Sequence, residues 1–429
     1  MYERQFNLSY ISNEKSSNKF NPYIETKMMI IKNILLSCSY VCLAACGGKG
    51  PIPQLVEAPP PTISVSNAGV ALSCWNLKKT DYSEKFFEEA VDSMRFVLLQ
   101  TTDASMLGVI NQVQKIGDKL VVVDAFKAQK ILVFDMDGKF LHSIGSKGDG
   151  PGEYTSLNHV LITSETVSVL DWLTWKYIRY DLEGNILYEH KFQKNPPETL
   201  VQLSEHTFVG SHAGYYPDSP YQLTWINDTD SVLNTALPFR DSHGEPAGTL
   251  RYALDGSLLY YHNFCDTVYQ VSNSDIVPKW RLGLFEPEEV EDFRNRGREL
   301  DNSEYREMQY RKGETIINVF SLLEGNSYWF VEYQDASFVY LSVVDKMKHK
   351  SRNYIRTDIS RKKCYVPFVF RNMSDDWLCT SISDQFYAVL DEGMREDFFS
   401  RVKSEKERKM LRNYDIENQN PIICLFHLK

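Results

Sequence analysis

The sequence lacks runs of basic residues. Its 429 residues include 47 Lys and Arg against 57 Asp and Glu, which gives a formal net charge of −10. Proteins that bind nucleic acid depend on clustered Lys and Arg to contact phosphates. The charge balance therefore argues against a phosphate-dominated binder, and we expect no nucleic-acid partner. The content of 43% hydrophobic and 13% aromatic residues is close to the globular average, which disfavours a disordered chain.

Hydrophobic runs of membrane-spanning length are missing near the start of the chain. The apolar stretch Ile34–Ala45 holds about a dozen residues, whereas a membrane-spanning helix needs about 20. It follows Lys27 and Lys32 and ends in small residues before Cys46, which is the pattern of a secretory signal. The final tetrapeptide, LAAC, resembles the lipobox of bacterial lipoproteins. That resemblance implies cleavage before Cys46 and lipidation of Cys46; the alternative is a buried apolar helix with a chance cysteine.

These features divide the chain into three parts. Residues 1–45 are predicted to be a signal peptide, and the polar stretch 1–27 is interpreted as a mis-assigned start. Residues 46–75 contain Gly-rich and Pro-rich segments and are predicted to be a flexible tether from the lipid-bearing Cys46. Residues 90–429 remain for the folded domain. We expect a lipoprotein of the outer membrane, in contact with the membrane through Cys46, on either its periplasmic or its surface face.

The cysteines form no metal-binding pattern. Neither a CxxC pair nor a Cys/His cluster at zinc spacing occurs, so we expect no metal site and no cofactor. An odd number of cysteines follows Cys46, which leaves at least one thiol free or paired between molecules. These residues are Cys74, Cys265, Cys364, Cys379 and Cys424.

The strongest pattern that is present is an internal repeat. Lys130–Leu141 aligns without a gap with Lys176–Leu187, 46 residues later. Each copy reads as a strand, an Asp-x-Asp/Glu-Gly turn and a second strand, and an apolar strand ending in Asp precedes it. Hairpin units that recur at about 40 to 50 residues are typical of propeller blades.

Strand patterns continue at a similar spacing along the rest of the chain. Further strands are expected at 221–228 and 267–272, and further hairpins at 327–343 and 377–390. Six such units predict an all-β fold, a six-bladed β-propeller. The alternative is a non-repeating array of β-sandwiches.

The prediction also covers the two ends of the domain and two charged segments. Because an open ring would leave unpaired strand edges, Met94–Gln100 and Pro421–Leu428 are expected to share one blade. Pro287–Lys312 and Arg395–Arg412 are rich in good helix formers and are predicted to be two inserted surface helices. Each helix is expected to lie on the propeller or to bind a partner.

A glycine-rich segment at the first blade junction carries a family resemblance. Residues 144–154 read IGSKGDGPGEY. Together with the flanking VVVD and DMDG pieces and the terminal NPII strand, this segment resembles the six-bladed β-propeller lipoproteins of Gram-negative bacteria, whose blades are similar to NHL repeats. The resemblance covers about residues 90–429. It implies an anchored propeller exposed to the periplasm or at the cell surface, and it carries no established reaction.

The glycine-rich segment also contains candidate binding residues. Its glycines match neither GxGxxG nor GxxxxGK[ST], so a nucleotide-binding loop is improbable. They are expected to form a loop between blades, or to line a ligand site at the channel mouth through Lys147, Asp149, Glu153 and Tyr154.

Catalytic motifs are missing elsewhere too. Neither GxSxG nor HExxH occurs, and we assign no catalytic residue. A polar and aromatic loop around His212 and Tyr215 is expected to cover the propeller rim or to stack on a sugar. The sequence thus favours an anchored binding module for a peptide, a glycan or an envelope protein. The alternative is a propeller-type hydrolase or lyase that acts on a lactone, glycan or peptide with a channel-bound metal.

Overall fold

A computed structural model describes residues 58–65, 73–77 and 81–429 of the chain, apart from 213, 217, 241–247, 298–299, 301–303, 306–307, 309–317, 336, 383–385 and 387–389. The predicted signal peptide, the predicted lipidation site Cys46 and the first part of the predicted tether lie outside the described residues. Within the described part the chain forms strands throughout, together with four helices.

The strands form six consecutive sheets, which we call blades 1 to 6. The chain begins with β1 (Ser73–Cys74), α1 (Phe86–Ala90) and β2 (Val91–Leu98). Blade 1 contains β3 (Gln112–Ile116), β4 (Lys119–Asp124), β5 (Lys130–Asp135) and β6 (Phe140–Ser143). The short strands β7 (Ser146–Lys147) and β8 (Glu153–Tyr154) pair between blades 1 and 2. Blade 2 contains β9 (His159–Ile162), β10 (Thr166–Asp171), β11 (Lys176–Asp181) and β12 (Ile186–Lys191).

Blades 3 and 4 follow the same pattern. Blade 3 contains β13 (Thr199–Gln202), β14 (Thr207–Ser211), β15 (Tyr221–Asn227) and β16 (Val232–Pro238). Blade 4 contains β17 (Thr249–Tyr252), β18 (Leu258–Tyr261), β19 (Thr267–Val271) and β20 (Ile276–Arg281), with β1 added in parallel to its outer edge. The helix α2 (Pro287–Gly297) lies between blades 4 and 5 in the chain.

Blades 5 and 6 complete the ring. Blade 5 contains β21 (Asn318–Glu324), β22 (Tyr328–Gln334), β23 (Phe338–Asp345), β24 (Lys350–Asp358) and β25 (Lys363–Cys364). Blade 6 contains β26 (Asn372–Ser374), β27 (Trp377–Ser381) and β28 (Ile422–Leu428), with β2 as its outermost strand. The helices α3 (Glu392–Ser400) and α4 (Glu405–Arg412) lie between β27 and β28.

The first strand of each blade lies nearest the ring axis. The strand β13 contacts β9 and β17, and β26 contacts β21 and β3, so these first strands surround a central channel. Consecutive strands of a blade are antiparallel, so they end alternately on one face of the ring and on the other. The face of the ring at which the first strand of each blade begins is called the upper face. It also carries every connection from a second to a third strand and from one blade to the next.

The repeated Asp-x-Asp/Glu-Gly turn has the same role in blades 1 and 2. Gly138 and Gly184 have φ values of 86° and 89°, a region that favours glycine. A Cβ on Gly138 would overlap the carbonyl oxygen of Leu98, and one on Gly184 would lie 3.1 Å from the carbonyl oxygen of Ser143. Each turn thus packs against the end of the outermost strand of the preceding blade, which explains why the motif repeats with the blades.

The two ends of the domain share blade 6, as predicted. The strand β2 pairs with β28 along its length in antiparallel register, from Val91 opposite Leu428 to Leu98 opposite Ile422. This pairing closes the ring of six sheets. The six-bladed propeller is therefore confirmed, and the alternative array of β-sandwiches is excluded.

One predicted strand is wrong. The second half of the hairpin expected at 377–390 does not pair with β27, because Phe386 is helical and β27 pairs with β28 instead. The chain between β27 and β28 forms α3 and α4, and their buried residues Phe398 and Leu411 belong to the same apolar cluster as β28. The strand that completes blade 6 therefore comes from the end of the chain.

The predicted surface helices are present with different bounds. In the first segment, α2 ends at Gly297, and its Val290 and Phe293 are buried as expected of a helix that lies on the propeller. The second segment forms two helices rather than one. The chain turns between them because Val402 is fully buried, and Ser404 then begins α4 by accepting a hydrogen bond from the Glu407 backbone.

The described parts of the predicted tether contact the propeller. The backbone N–H of Ile63 donates to the carbonyl of Thr235 on β16 over 3.0 Å, and the Ile63 side chain is buried. Further along, β1 pairs with β20, and Trp75 packs 5.3 Å from the ring of Trp280. The described residues 58–65 and 73–75 therefore contact blades 3 and 4, and a free tether stays a prediction for the rest of the segment.

Apolar side chains fill the space between neighbouring blades. Blades 5 and 6 enclose an aromatic cluster in which Phe368 lies 5.0 Å from Phe426 and Phe330 lies 5.1 Å from Phe370. Full burial of such a side chain contributes roughly 1.5–3 kcal/mol to stability.

Among the described residues, no helix is both long and apolar enough to cross a bilayer.

Candidate functional site

Side chains from three blades meet in the central channel. Arg251 on β17 of blade 4 donates from Nη2 to Oδ1 of Asn372 on β26 of blade 6. The Nδ2 of Asn372 in turn donates to Oε1 of Gln114 on β3 of blade 1 over 3.0 Å. Blades 1 and 4 are opposite each other in a ring of six, so these hydrogen bonds cross the channel. At this level the channel is therefore bridged by polar side chains.

The bridge carries a positive charge. Burial lowers the pKa of Arg251, and the nearby Tyr261 and Glu324 partly oppose that shift, but a guanidinium stays protonated in proteins. A second cation beside Arg251 would be repelled. Within the described part of the chain, no group of three or more His, Cys, Asp and Glu side chains is arranged to hold a metal ion.

The glycine-rich segment between blades 1 and 2 is held by a buried lysine. The Nζ of Lys176 on β11 donates to the carbonyls of Gly150 and Glu153, each over 3.0 Å. The same Nζ lies 3.8 Å from Oδ1 of Asp149 and 3.9 Å from Oε1 of Glu189. The loop is therefore fixed over the third and fourth strands of blade 2, away from the first strands that line the channel.

Two of the candidate residues in this loop make contacts within it. Glu153 is half-buried and accepts a 2.9 Å hydrogen bond from the backbone N–H of Gly150. Tyr154 is almost fully buried, its hydroxyl donates to the carbonyl of Ile144, and burial raises its pKa to about 12. Lys147 and Asp149 are exposed. These contacts favour the inter-blade loop, and ligand binding by Lys147, Asp149, Glu153 and Tyr154 stays a prediction.

The loop around His212 forms a polar cluster on the upper face of blade 3. The Nδ1 of His212 lies 3.4 Å from Oε2 of Glu198, and its Nε2 lies 3.0 Å from Oγ of Ser219 and 3.2 Å from Oγ1 of Thr224. The hydroxyl of Tyr216 donates to Oε1 of Glu198 over 3.0 Å. Burial raises the pKa of the Glu198 carboxyl, but the hydrogen bonds from His212 and Tyr216 outweigh that effect, so the pKa is lowered.

The two aromatic residues of this loop have different surroundings. Tyr215 is buried, and its ring packs edge-on 6.4 Å from that of Phe239. Tyr216 is 38% exposed. Of the two predicted binding residues in this loop, His212 therefore belongs to a polar cluster while Tyr215 packs inward, and contact of either with a ligand stays a prediction.

Sequence inspection missed Glu198 and Ser219. Glu198 precedes β13, and it lies beside His212 because β13 pairs with β14 so that Thr199 is opposite Ser211. Ser219 returns to the loop through backbone pairing with Tyr216. Neither residue has a sequence motif around it, and the cluster becomes visible when the strands are paired.

The upper face also exposes large apolar and aromatic side chains on blades 1 to 3. We call this set the upper-face arc; it consists of Met106, Phe126, Leu173, Trp175 and Tyr216. Their exposed fractions range from 37% for Trp175 to 76% for Leu173. All five lie on second-to-third-strand loops or on the connection into blade 1. Large contiguous patches of exposed apolar groups are typical of interaction surfaces, whereas single exposed apolar residues are normal.

The other exposed large apolar side chains of the described chain are differently placed. On the lower face these are Leu254 and Met347, on outermost strands they are Leu141, Ile186, Leu187, Val232 and Leu233, and Met394 lies on α3 in the second-to-third-strand connection of blade 6, outside blades 1 to 3. The loops of the upper face thus carry more of these side chains than the loops of the lower face do.

The five cysteines that follow Cys46 in the sequence, which form no metal-binding pattern, are free thiols. Cys74 is exposed, Cys265 and Cys364 are half-buried, and Cys379 and Cys424 are buried. Burial raises the pKa of Cys379 to about 12, which makes it an unreactive part of the core.

The closed ring of six blades around a bridged polar channel defines the class: the protein is a six-bladed β-propeller. The family model described as "Domain of unknown function (DUF4934)" matches residues 72–427, and the chain belongs to that family. A comparison with curated protein sequences finds no match.

The chain is similar to several solved structures, of which the first one below supports the same fold. A protein assigned as exported, from Bacteroides fragilis NCTC 9343, is 19% identical, with a TM-score of 0.59 over 79% of this chain and 95% of that chain. A member of the DUF4221 family from Bacteroides vulgatus ATCC 8482 is 10% identical, with a TM-score of 0.46 over 80% of this chain and 98% of that chain. Virginiamycin B lyase from Staphylococcus aureus is 12% identical, with a TM-score of 0.36 over 67% and 81% of the two chains. At these identities the similarity concerns the fold alone.

Proposed function

We propose that the protein is a lipid-anchored propeller of the bacterial envelope that binds a partner protein through the upper-face arc. The observation that carries this proposal is the concentration of exposed Met106, Phe126, Leu173, Trp175 and Tyr216 on one face. Burial of such side chains supplies most of the energy of protein association, because roughly 25 cal/mol is gained for each Å² of apolar surface removed from water.

The chemistry of the arc favours a protein over a glycan. Leu173 and Met106 offer no polar group to a sugar hydroxyl, and the exposed fraction of Leu173 is the largest in the arc. Sugar sites combine aromatic rings with convergent polar groups, whereas Leu, Met, Phe and Trp together are typical of protein contacts. We therefore take a peptide or protein segment with apolar side chains as the ligand.

An envelope location is supported by three observations outside the arc. The signal-like stretch before Cys46 implies export and lipidation, and the similar Bacteroides fragilis propeller is assigned as exported. The glycine-rich segment at 144–154 adds the resemblance to Gram-negative lipoprotein propellers with NHL-like blades. In this proposal residues 46–57 connect the lipid to the attached segment at 58–65, and the ring is held at an outer-membrane surface.

The metal-dependent alternative gains no support from the described residues. A hydrolase or lyase with a channel-bound metal needs inward carboxylate or imidazole ligands. In the described channel, the bridging side chains are the cation Arg251 and the amides Asn372 and Gln114.

Site-specific photo-crosslinking tests the proposed binding surface. A photoreactive phenylalanine analogue is placed at Phe126 or at Leu173 in cells that make the full-length protein, and at Met347 or Leu254 on the lower face as matched exposed controls. We expect the two upper-face positions to yield the same crosslinked protein and the lower-face positions to yield none of it. Equal crosslinking from both faces, or a different set of products at Phe126 and Leu173, would argue against a dedicated surface.

A further inference from the structure

The polar cluster on blade 3 has the connectivity of a nucleophile, a base and an orienting acid. Ser219 Oγ lies 3.0 Å from Nε2 of His212, and Nδ1 of the same imidazole lies 3.4 Å from Oε2 of Glu198. The two contacts use opposite nitrogens of one ring. This order of groups activates a serine hydroxyl, and it recurs on unrelated folds irrespective of the order of residues in the chain.

We propose that Ser219, His212 and Glu198 form a metal-independent acyl-transfer site that hydrolyses carboxylic esters. This activity goes beyond the proposed partner binding and rests on different residues. Tyr216 belongs to both descriptions, because it is half-exposed beside the cluster and its ring lies edge-on 6.4 Å from that of His212. An ester with an apolar group next to its carbonyl would contact that ring.

The position of Glu198 sets the tautomer of His212. The carboxyl group is buried and its pKa is lowered, so it is ionised at neutral pH and accepts a hydrogen bond from Nδ1–H. Its second oxygen is held by the Tyr216 hydroxyl at 3.0 Å, which fixes the carboxylate plane. With Nδ1 protonated, Nε2 presents a lone pair to the hydroxyl of Ser219.

The chemical steps balance without a cofactor. The Oγ of Ser219 attacks the ester carbonyl while its proton moves to Nε2 of His212, and the carboxylate of Glu198 stabilises the imidazolium. Collapse of the tetrahedral intermediate breaks the ester C–O bond, and the alcohol leaves with the proton from Nε2. Water then attacks the acyl-serine with His212 as base, which releases the carboxylic acid and restores the serine.

One neighbouring group competes with the nucleophile. The hydroxyl of Thr224 lies 3.2 Å from the same Nε2, and a neutral imidazole nitrogen has one lone pair to share. The threonine is buried on β15, while Ser219 is half-buried at the upper face and is the hydroxyl that a substrate can approach. Removal of the threonine hydroxyl should therefore leave Ser219 as the single donor to Nε2.

Labelling of the full-length protein with a fluorophosphonate probe tests this site. The probe forms a phosphonate ester with an activated serine and releases fluoride, and peptide mass mapping identifies the modified residue. We expect label on Ser219, complete loss of label in Ser219→Ala, and at least tenfold slower labelling in His212→Asn and in Glu198→Gln. Thr224→Val should label at least as fast as the native protein, and Ser274→Ala, which changes an exposed serine on blade 4, should be unaffected.

Two results would overturn the proposal. One is a native protein that takes up no label at millimolar probe, and the other is label that survives in Ser219→Ala or is independent of His212. Thermal melting of each variant separates loss of reactivity from loss of folding, and Thr224→Val provides a second test if the His212 variant unfolds. Crosslinking at Phe126 does not depend on Ser219, so failure of the esterase site and failure of partner binding are distinguishable.

Discussion

Phe96 of β2 and Cys424 of β28 face each other across an antiparallel pair of strands, although they come from opposite ends of the domain. This pairing joins the outermost strand of blade 6 to the rest of that blade. Every other blade forms its four principal strands from one continuous stretch of chain. The integrity of the whole ring therefore depends on the last strand of the protein.

Deletion of residues 421–429 should abolish cooperative unfolding of the propeller. Without β28, β2 loses its strand partner and β27 keeps only β26, so blade 6 cannot form. As a milder test, Leu425→Ala removes a buried side chain of β28 and should cost about 2–5 kcal/mol of unfolding free energy. Denaturant titration of Leu173→Ala, which truncates a side chain that is 76% exposed, should show a change of less than about 0.5 kcal/mol. Equal effects of the two leucine variants would contradict this account of closure.

Two turn glycines, Gly138 in the repeated turn of blade 1 and Gly256 between β17 and β18, distinguish the cost of a positive φ from the cost of contact with a neighbouring blade. Gly138 has a positive φ, and a Cβ there would also overlap the Leu98 carbonyl, whereas Gly256 has a φ of 78° with open space around it. Gly256→Ala should therefore cost about 1–2 kcal/mol, the conformational penalty alone. Gly138→Ala should cost more than Gly256→Ala by chemical denaturation. A similar cost for both would mean that blade contact at this turn contributes nothing.

A buried ion pair in blade 5 predicts an asymmetric response to mutation. The Nη1 of Arg356 lies 2.6 Å from Oε1 of Glu332, and both side chains are almost fully buried. Arg356→Ala leaves the carboxylate in an apolar environment and should destabilise the protein by about 3–5 kcal/mol. Replacement of both residues by Met should recover most of that loss, as measured by the midpoint of urea unfolding. A double variant as unstable as the single one would show that the pair itself is required.

The imidazole of His159 predicts a dependence of stability on pH. Burial lowers the pKa of this group on β9 from 6.5 to about 4. Between these two values the unfolded chain binds a proton that the folded chain does not, so stability falls as the pH is lowered through that window and changes no further below it. The loss is at most about 3 kcal/mol. The difference in melting temperature between native protein and His159→Gln should change between pH 6.5 and 4; a constant difference would contradict burial of the imidazole.

Lipidation of Cys46 can be tested by metabolic labelling. A clickable palmitate analogue should label the full-length protein, and Cys46→Ala should lose the label and appear in a soluble fraction. Cys74→Ala removes an exposed thiol downstream and serves as the control, which should remain labelled and membrane-bound. Label that persists in Cys46→Ala would place the acyl chain elsewhere.

The architecture was predictable because its determinants are local and repeated. The Asp-x-Asp/Glu-Gly turns at Gly138 and Gly184 recur with the blade, and the apolar strand at the end of the chain needs a partner. The prediction of a second hairpin strand after Trp377 was wrong because this part of the chain departs from the repeat. A helical insertion separates β27 from β28, and the apolar pattern around Phe386 is shared by buried strands and buried helices.

The candidate sites were less predictable because they depend on which residues the ring brings together. Lys147 and Glu153 attracted attention through a conspicuous motif, yet the buried Lys176 holds that motif as a loop between blades. The contact of Glu198 with His212 depends on the pairing of β13 with β14, which places Thr199 opposite Ser211. The sequence also does not show that Leu173 is exposed, because most other leucines of the chain are buried and nothing in the sequence around Leu173 sets it apart.

The central claim is that the upper-face arc binds a partner protein, and affinity measurement with the protein identified by crosslinking tests it most directly. Isothermal titration compares the native chain with a variant carrying Phe126→Ser, Leu173→Ser and Trp175→Ser, and with a control carrying Leu254→Ser and Met347→Ser. We predict at least a hundredfold weaker binding for the upper-face variant and an unchanged affinity for the lower-face control. Equal affinities for the native chain and the upper-face variant would contradict the account.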